Sequence, residues 1–212
     1  MCEVGLHHDG RVKWSRAVHH LETLATTCAE MADRPRSIFP LRVVQLWAVG
    51  DLLGAPRDLE RIRVALAVDL PVDAVPWLGE PAGAQHWAGA TRLTKNPVVP
   101  LWRSINAPIW NHFVERPVLA WDTTNGVAEE AIAALRDGRG ESIRPPAPTA
   151  AELQARLADE LRVSLAALRD RSRRYDDKRW APGKLEPVAD ALWLATDGYL
   201  DVLAAAQHAP TD

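Results

Sequence analysis

The chain has 212 residues, of which 47% are hydrophobic and 25% charged, and its formal net charge is −3. That length suits one compact domain, or a core with a helical appendage, and buries enough surface to fold without disulfide staples. The weak negative charge excludes the footprint of a nucleic-acid binder or of a protein drawn to an anionic membrane, and no apolar run approaches the length that crosses a bilayer.

The two cysteines, Cys2 and Cys28, form no CxxC and no regular spacing, which fits a reducing cytoplasm. The basic residues are 21 Arg against 4 Lys, a bias expected of a GC-rich genome rather than of phosphate binding. Nine Trp stand against two Phe and two Tyr, and these rings are expected as core anchors whose indole N–H groups need partners.

In chain order, residues 1–13 read as a flexible lead-in without the apolar segment of a signal peptide. From Trp14, the positions Val18, Leu21, Ala25, Cys28 and Ala32 fall at helical spacing, with Cys28 a buried thiol. The helix should stop near Asp33, because Pro35 and Pro40 follow. His7-His8 and His19-His20 lack zinc spacing, since adjacent residues on a helix point about 100° apart. His86 and His112 are isolated.

"LRVVQLWAVG" and "RIRVALAVDL" read as two strands, the second entering a sheet covered on both faces. Between Pro71 and Pro100 a short helix is expected around Trp87, with irregular chain elsewhere. "VVPLWRSI" is a strand whose Pro100 marks an edge, and "RPVLAWD" is a strand ending at Asp122. Asn125 is then expected to cap a helix with Val127, Ala131, Ile132 and Leu135 on one face, ended by Gly138.

"SIRPPAPT" is a stiff linker. Thr149 and Glu152 form a capping box that opens a helix with Leu153, Leu157, Leu161, Leu165 and Leu168 on one stripe. "YDDKRWAPGK" reads as a turn, and a second amphipathic helix follows, with Pro187 in its first turn. Two long helices with a short connection pack antiparallel. The fold class is therefore α+β: a mixed sheet with flanking helices over residues 14–140, then a C-terminal antiparallel helical hairpin over 149–207 packed on the core.

The stretch "LWAVGDLLGAPRDLERIRVALAVDLP", Leu46 to Pro71, carries the outline of a nucleotidyl-transfer site. It resembles the DNA-polymerase-β-like nucleotidyltransferase superfamily. There an apolar strand ends in Gly-Ser or Gly-Gly at a helix start, paired acids sit on the next strand, and a third acid follows. The resemblance implies Gly50-Asp51 at the phosphate turn, "VALAVD" as the acid strand and Asp122 as the third acid. The chemistry departs from that pattern. The paired-acid positions fall on Arg63 and Ala65, and the pair with correct spacing, Asp58 and Glu60, precedes the strand. Asp51 stands where a phosphate-contacting Ser or Gly would be, and an anionic cap there repels a phosphate at a few ångströms by about 1–4 kcal/mol.

"VQLWAVGDLLG", "ERPVLAWD" and "RWAPGKLEPVADALW" together are similar to an uncharacterised family of domains of unknown function, mostly actinobacterial. That resemblance spans Trp14 to Leu203 and implies a bacterial cytoplasmic protein.

Three functional expectations follow. The first is a degenerate, non-catalytic nucleotidyltransferase-like protein without cofactor or metal, acting as a binding or regulatory module for a protein or small molecule. The second is an active Mg-dependent nucleotidyltransferase in which Asp51, Asp58, Glu60, Asp69 and Asp122 converge; its catalytic candidates are Asp51, Asp69 and Asp122. The third is an interaction protein that dimerises through its helical hairpin. Candidate ligand contacts are Gly50, Asp51, Asp58 and Glu60, with Arg179 and Lys184 beside Trp180 and Glu186. For Trp180 the structural expectation is a wedge between the last two helices.

Overall fold

The computed structural model describes residues 11–93 and 96–209; Cys2, His7-His8 and most of the expected lead-in lie outside them. The chain runs α1 (Trp14–Ala32), β1 (Val43–Ala48), β2 (Ile62–Val68), α2 (Ala84–Ala90), β3 (Val98–Ser104), β4 (Val118–Asp122), β5 (Gly126–Val127), α3 (Glu129–Arg136), α4 (Ala150–Arg179) and α5 (Glu186–His208). The protein is α+β, with one mixed sheet in the order β3-β2-β1-β4-β5. β1 is antiparallel to both β2 and β4, whereas β2 and β3 run parallel through the α2 crossover.

Both faces of this sheet are covered, which explains the nearly unbroken apolar reading of β2. Ile62, Val64, Leu66 and Val68 point into a core closed by α1, whose Ala17, Val18, Leu21, Leu24, Ala25 and Cys28 are buried. Each large side chain removed from water there contributes about 1.5–3 kcal/mol. Burial pushes the Cys28 thiol far up, so it behaves as an inert core residue. Trp87 and Trp102 meet edge to face at 5.9 Å in the same layer.

The opposite face carries Ala65, Ala67, Leu101 and Val49, against Leu157 of α4 and Val202 of α5. Small residues on β2 let the helices approach closely. The tightest approach is at Gly198 of α5, where a Cβ would lie 2.2 Å from the Trp77 carbonyl oxygen. The buried side chains of α4 end at Ser164, and no residue between 165 and 194 is fully buried. The root of the hairpin is docked on the sheet, and its tip projects.

Three local expectations change. Asn125 caps no helix: it belongs to the β4–β5 connection, Val127 lies in β5, and α3 begins at Glu129 with Ala128 before it. The reason is Asp122, whose carboxylate accepts from the Thr124 and Asn125 backbone N–H groups at 2.7 Å and bends the chain into a hairpin. "YDDKR" is not a turn but the last helical stretch of α4, closed by Lys178 and Arg179 near its negative end. Trp180 is 80% exposed rather than wedged between helices. The Thr149–Glu152 capping box forms as expected. Among the described residues no helix is long and apolar enough to cross a membrane.

Gly198→Ala tests the docking of the hairpin. Helix propensity alone favours Ala by about 1 kcal/mol. The clash with the Trp77 carbonyl should outweigh that gain and destabilise the protein by roughly 1–3 kcal/mol, read as a lowered denaturant midpoint.

Candidate functional site

The antiparallel pairing of β1 with β2 decides where the candidate acids go. Ala48 pairs with Val64, and Val43 with Val68. Gly50-Asp51, just past the end of β1, therefore lies beside the start of β2, while Asp69 lies at its other end. Five strand residues separate the two levels, about 16 Å at the usual rise. Asp122 pairs with Gln45 and shares the Asp69 end, but β1 runs between them, about 10 Å across the sheet. Asp51 and Asp122 do not meet, and neither do Asp51 and Asp69.

Each acid has a local partner. Asp51 accepts from Arg57 at 2.6 Å, and Asp69 lies 3.6 Å from Arg36. Asp122 is buried and held below the usual carboxylate range by the Asn125 side chain first, then by the backbone N–H groups of Asn125 and Thr124. Gly50, at φ +62°, opens a short 3-10 turn, Gly50–Leu53, with Asp51 in it. Asp51, Asp58 and Glu60 do line one open surface hollow, interleaved with Arg57, Arg61 and Arg63. Among the described residues no group of three or more His, Cys, Asp or Glu could hold a metal ion. Arg179 and Lys184 sit at the hairpin tip; Arg179 pairs with Asp176 at 2.8 Å and covers the Trp180 ring at 4.7 Å.

The most developed constellation of charge lies elsewhere, under α4. Glu160 is 6% exposed and receives three donors: Arg103 from β3 and Arg156 from the preceding turn on one oxygen, and Asn111 on the other at 2.9 Å. Arg156 also donates to the Pro108 carbonyl at 2.9 Å and the Trp110 carbonyl at 3.2 Å, fixing the segment between β3 and β4. Asn111 folds that segment on itself by accepting from the Val114 N–H at 2.7 Å.

Two buried guanidiniums share one carboxylate. Burial pushes Arg156 below its ordinary value, Glu160 opposes that, and Arg103 adds like-charge repulsion. A guanidinium keeps its proton regardless, and burial is the main cost of its charge there, with Arg103 adding to it. Arg103 has a further unmet need: its side chain is 3% exposed and its buried Nε has no partner. Its guanidinium lies 5.3 Å from the centroid of Trp77, whose Nε1 donates to Asp201 of α5 at 2.7 Å. His112 meets the same Asp201 oxygen at 2.8 Å.

Beside this cluster opens a cleft of about 200 Å³. Arg103, Arg156, Arg162, Asp159 and Glu160 form its charged wall, and Val72, Val75 and Trp77 its apolar one. At its rim Arg162 faces Asp73 at 4.0 Å. The arrangement can hold a small anion by a preformed fork and an apolar body against the indole. None of the aligned candidates of the opening stretch contributes to it.

A family model described as a domain of unknown function, DUF7711, matches residues 12–208. The chain belongs to that family. No curated protein and no solved structure matches it. The match spans α1 through α5, so both the Gly50 turn and the cleft under α4 lie within the DUF7711 domain.

Sequence reasoning missed Arg103, Glu160 and Arg156, although a signal was present. Arg156, Glu160 and Ser164 recur among Leu153, Leu157 and Leu161 on the apolar side of α4. Charged residues on a stripe that must be buried demand partners.

Glu160→Ala leaves both guanidiniums without their carboxylate. The unfolding free energy should fall by about 3–5 kcal/mol, measured by denaturant titration.

For Asp122 the sign runs the other way from a buried base. Its folded-state pKa is depressed, so its stabilisation is present above the unfolded value of about 3.9 and is lost as the pH falls through the folded one. Asp122→Asn should be less stable than the parent at neutral pH, and the gap should narrow below about pH 4 in parallel thermal melts.

Proposed function

We propose that this DUF7711 protein is a non-catalytic binding module on a nucleotidyltransferase-like frame, and that it takes a small organic monoanion, a carboxylate with an apolar body, in the cleft under α4. One observation carries this: two buried arginines, Arg103 and Arg156, share the single carboxylate of Glu160 at the wall of a cleft. A ligand carboxylate gives the two guanidiniums an acceptor besides Glu160, and Trp77, Val72 and Val75 receive the rest of the molecule. The volume equals that of roughly seven waters, which suits a small organic acid rather than a nucleoside triphosphate.

The nucleotidyltransferase-like frame is supported by an apolar β1 that ends at a positive-φ glycine opening a short helical turn, followed by the adjacent β2. The separation of Asp51 from Asp69 and Asp122 favours the non-catalytic form over a magnesium-dependent one, since two carboxylates share a divalent ion only when both oxygens reach it at about 2.0–2.6 Å. We place the protein in the cytoplasm, where the free, buried Cys28 fits a reducing medium.

The test is a thermal-shift and calorimetric screen of small carboxylic acids beside ATP, GTP, CTP and UTP, each with and without Mg²⁺. Binding of a small carboxylate is expected, and Ala107→Phe, at a cleft-lining position whose side chain makes none of the cluster's hydrogen bonds, should abolish it while the protein stays folded. Metal-dependent stabilisation by a nucleoside triphosphate that survives Ala107→Phe would overturn the proposal and restore catalysis at the Gly50 end.

A further inference from the structure

The outer face of the hairpin, from root to tip, carries two exposed stripes of opposite character. On α5, Glu186, Asp190, Trp193, Asp197 and Leu200 follow one another at three- and four-residue steps, and all five are exposed. Trp193 is 64% exposed and Leu200 54%, an unusual cost for side chains of that size on a single helix face. α5 contains four acidic residues and no Lys or Arg. On α4, Arg162, Ala166, Arg169 and Arg173 form a matching stripe, again fully on the outside. From Arg162 to Arg179, α4 carries seven Arg or Lys against three Asp.

Of the stripe charges, only Arg162 faces an acid, Asp73 at 4.0 Å, among the described residues. The ion pairs of the tip are local to α4: Asp170 with Arg171 and Arg174, and Asp176 with Arg179. Among the described residues, Arg169 and Arg173 make no ion pair, and Glu186, Asp190 and Asp197 make none either. The two helices that share the tip meet through half-buried Leu165, Leu168, Leu192 and Leu194, which is a thin core for a two-helix projection.

We infer that the outer face of the hairpin is the dimer interface for a second copy of this chain, with the basic stripe of α4 seated on the acidic, Trp193-bearing stripe of α5 from the other copy. A second copy is the occupant that the charges select, because each chain presents both halves of a self-complementary surface, as a two-fold interface requires. The heights agree as well. Arg169 lies ten residues before the end of α4 and Asp197 eleven after the start of α5, so both stand at the same distance from the connecting turn. A two-fold axis along the hairpin then sets Arg169 of each copy beside Asp197 of the other, converts two helices into four, and covers Trp193 and Leu200. The inference is independent of the cleft under α4 and of any ligand there.

The test is sedimentation equilibrium of the full chain over a concentration series at low and high salt. A dimer mass that moves towards the monomer as salt rises is expected. Arg169→Glu with Arg173→Glu should weaken association about tenfold or more, since the two-fold axis repeats every lost pair. Mixing that double variant with Asp190→Arg, Asp197→Arg protein should restore a dimer from two chains that do not dimerise alone. Circular dichroism confirms that each variant is folded, because all four positions are exposed. A monomer at every concentration, or a dimer indifferent to the charge reversals, overturns the inference.

Discussion

Glu160 ties three elements of the fold to one buried carboxylate. One of its oxygens takes β3 through Arg103 and α4 through Arg156, and the other takes the β3–β4 segment through Asn111. Arg103 in turn covers Trp77, and Trp77 is tied to α5 through Asp201. The lower face of the sheet, the segment that crosses it and the root of both long helices therefore depend on one buried carboxylate. Such an arrangement is expensive in desolvation and persists only where every lone pair is used. Glu160 meets that condition, whereas the buried Nε of Arg103 has no partner.

The register of β1 on β2 has an equally direct consequence at the ends of the sheet. An antiparallel pair brings the end of one strand beside the start of the next, so acids that follow two successive strands are carried apart. Asp69 and Asp122 share one end without touching, and Asp51 stands at the other, closed by Arg57. Asp122 is further committed to the β4–β5 turn. A carboxylate that accepts two backbone N–H groups and a side-chain amide has little left to offer a metal.

α4 belongs to both regions. Its first turns carry Arg156 and Glu160 against the sheet, and its later turns carry Arg169 and Arg173, which make no ion pair among the described residues. A rigid helix of 30 residues spans about 45 Å, so the cleft and the tip are joined by one continuous element.

Much of the fold is legible in the residues alone. The 3.6-residue spacing from Trp14, the apolar runs of β1 and β2, the edge proline of β3 and the Thr149–Glu152 capping box each act within a few neighbours, so local chemistry determined them. The α+β class follows from their order. What tertiary structure decided is of longer range: the direction in which β1 meets β2, which separated the acids; the pull of Asp122 on its own backbone, which turned an expected helix cap into a hairpin; and the pairing of Arg103 with a glutamate 57 positions away. The sequence marks such residues as polar on a buried stripe but cannot name their partners, because burial fixes a charge's need for a counter-charge and only the packed chain determines which one arrives.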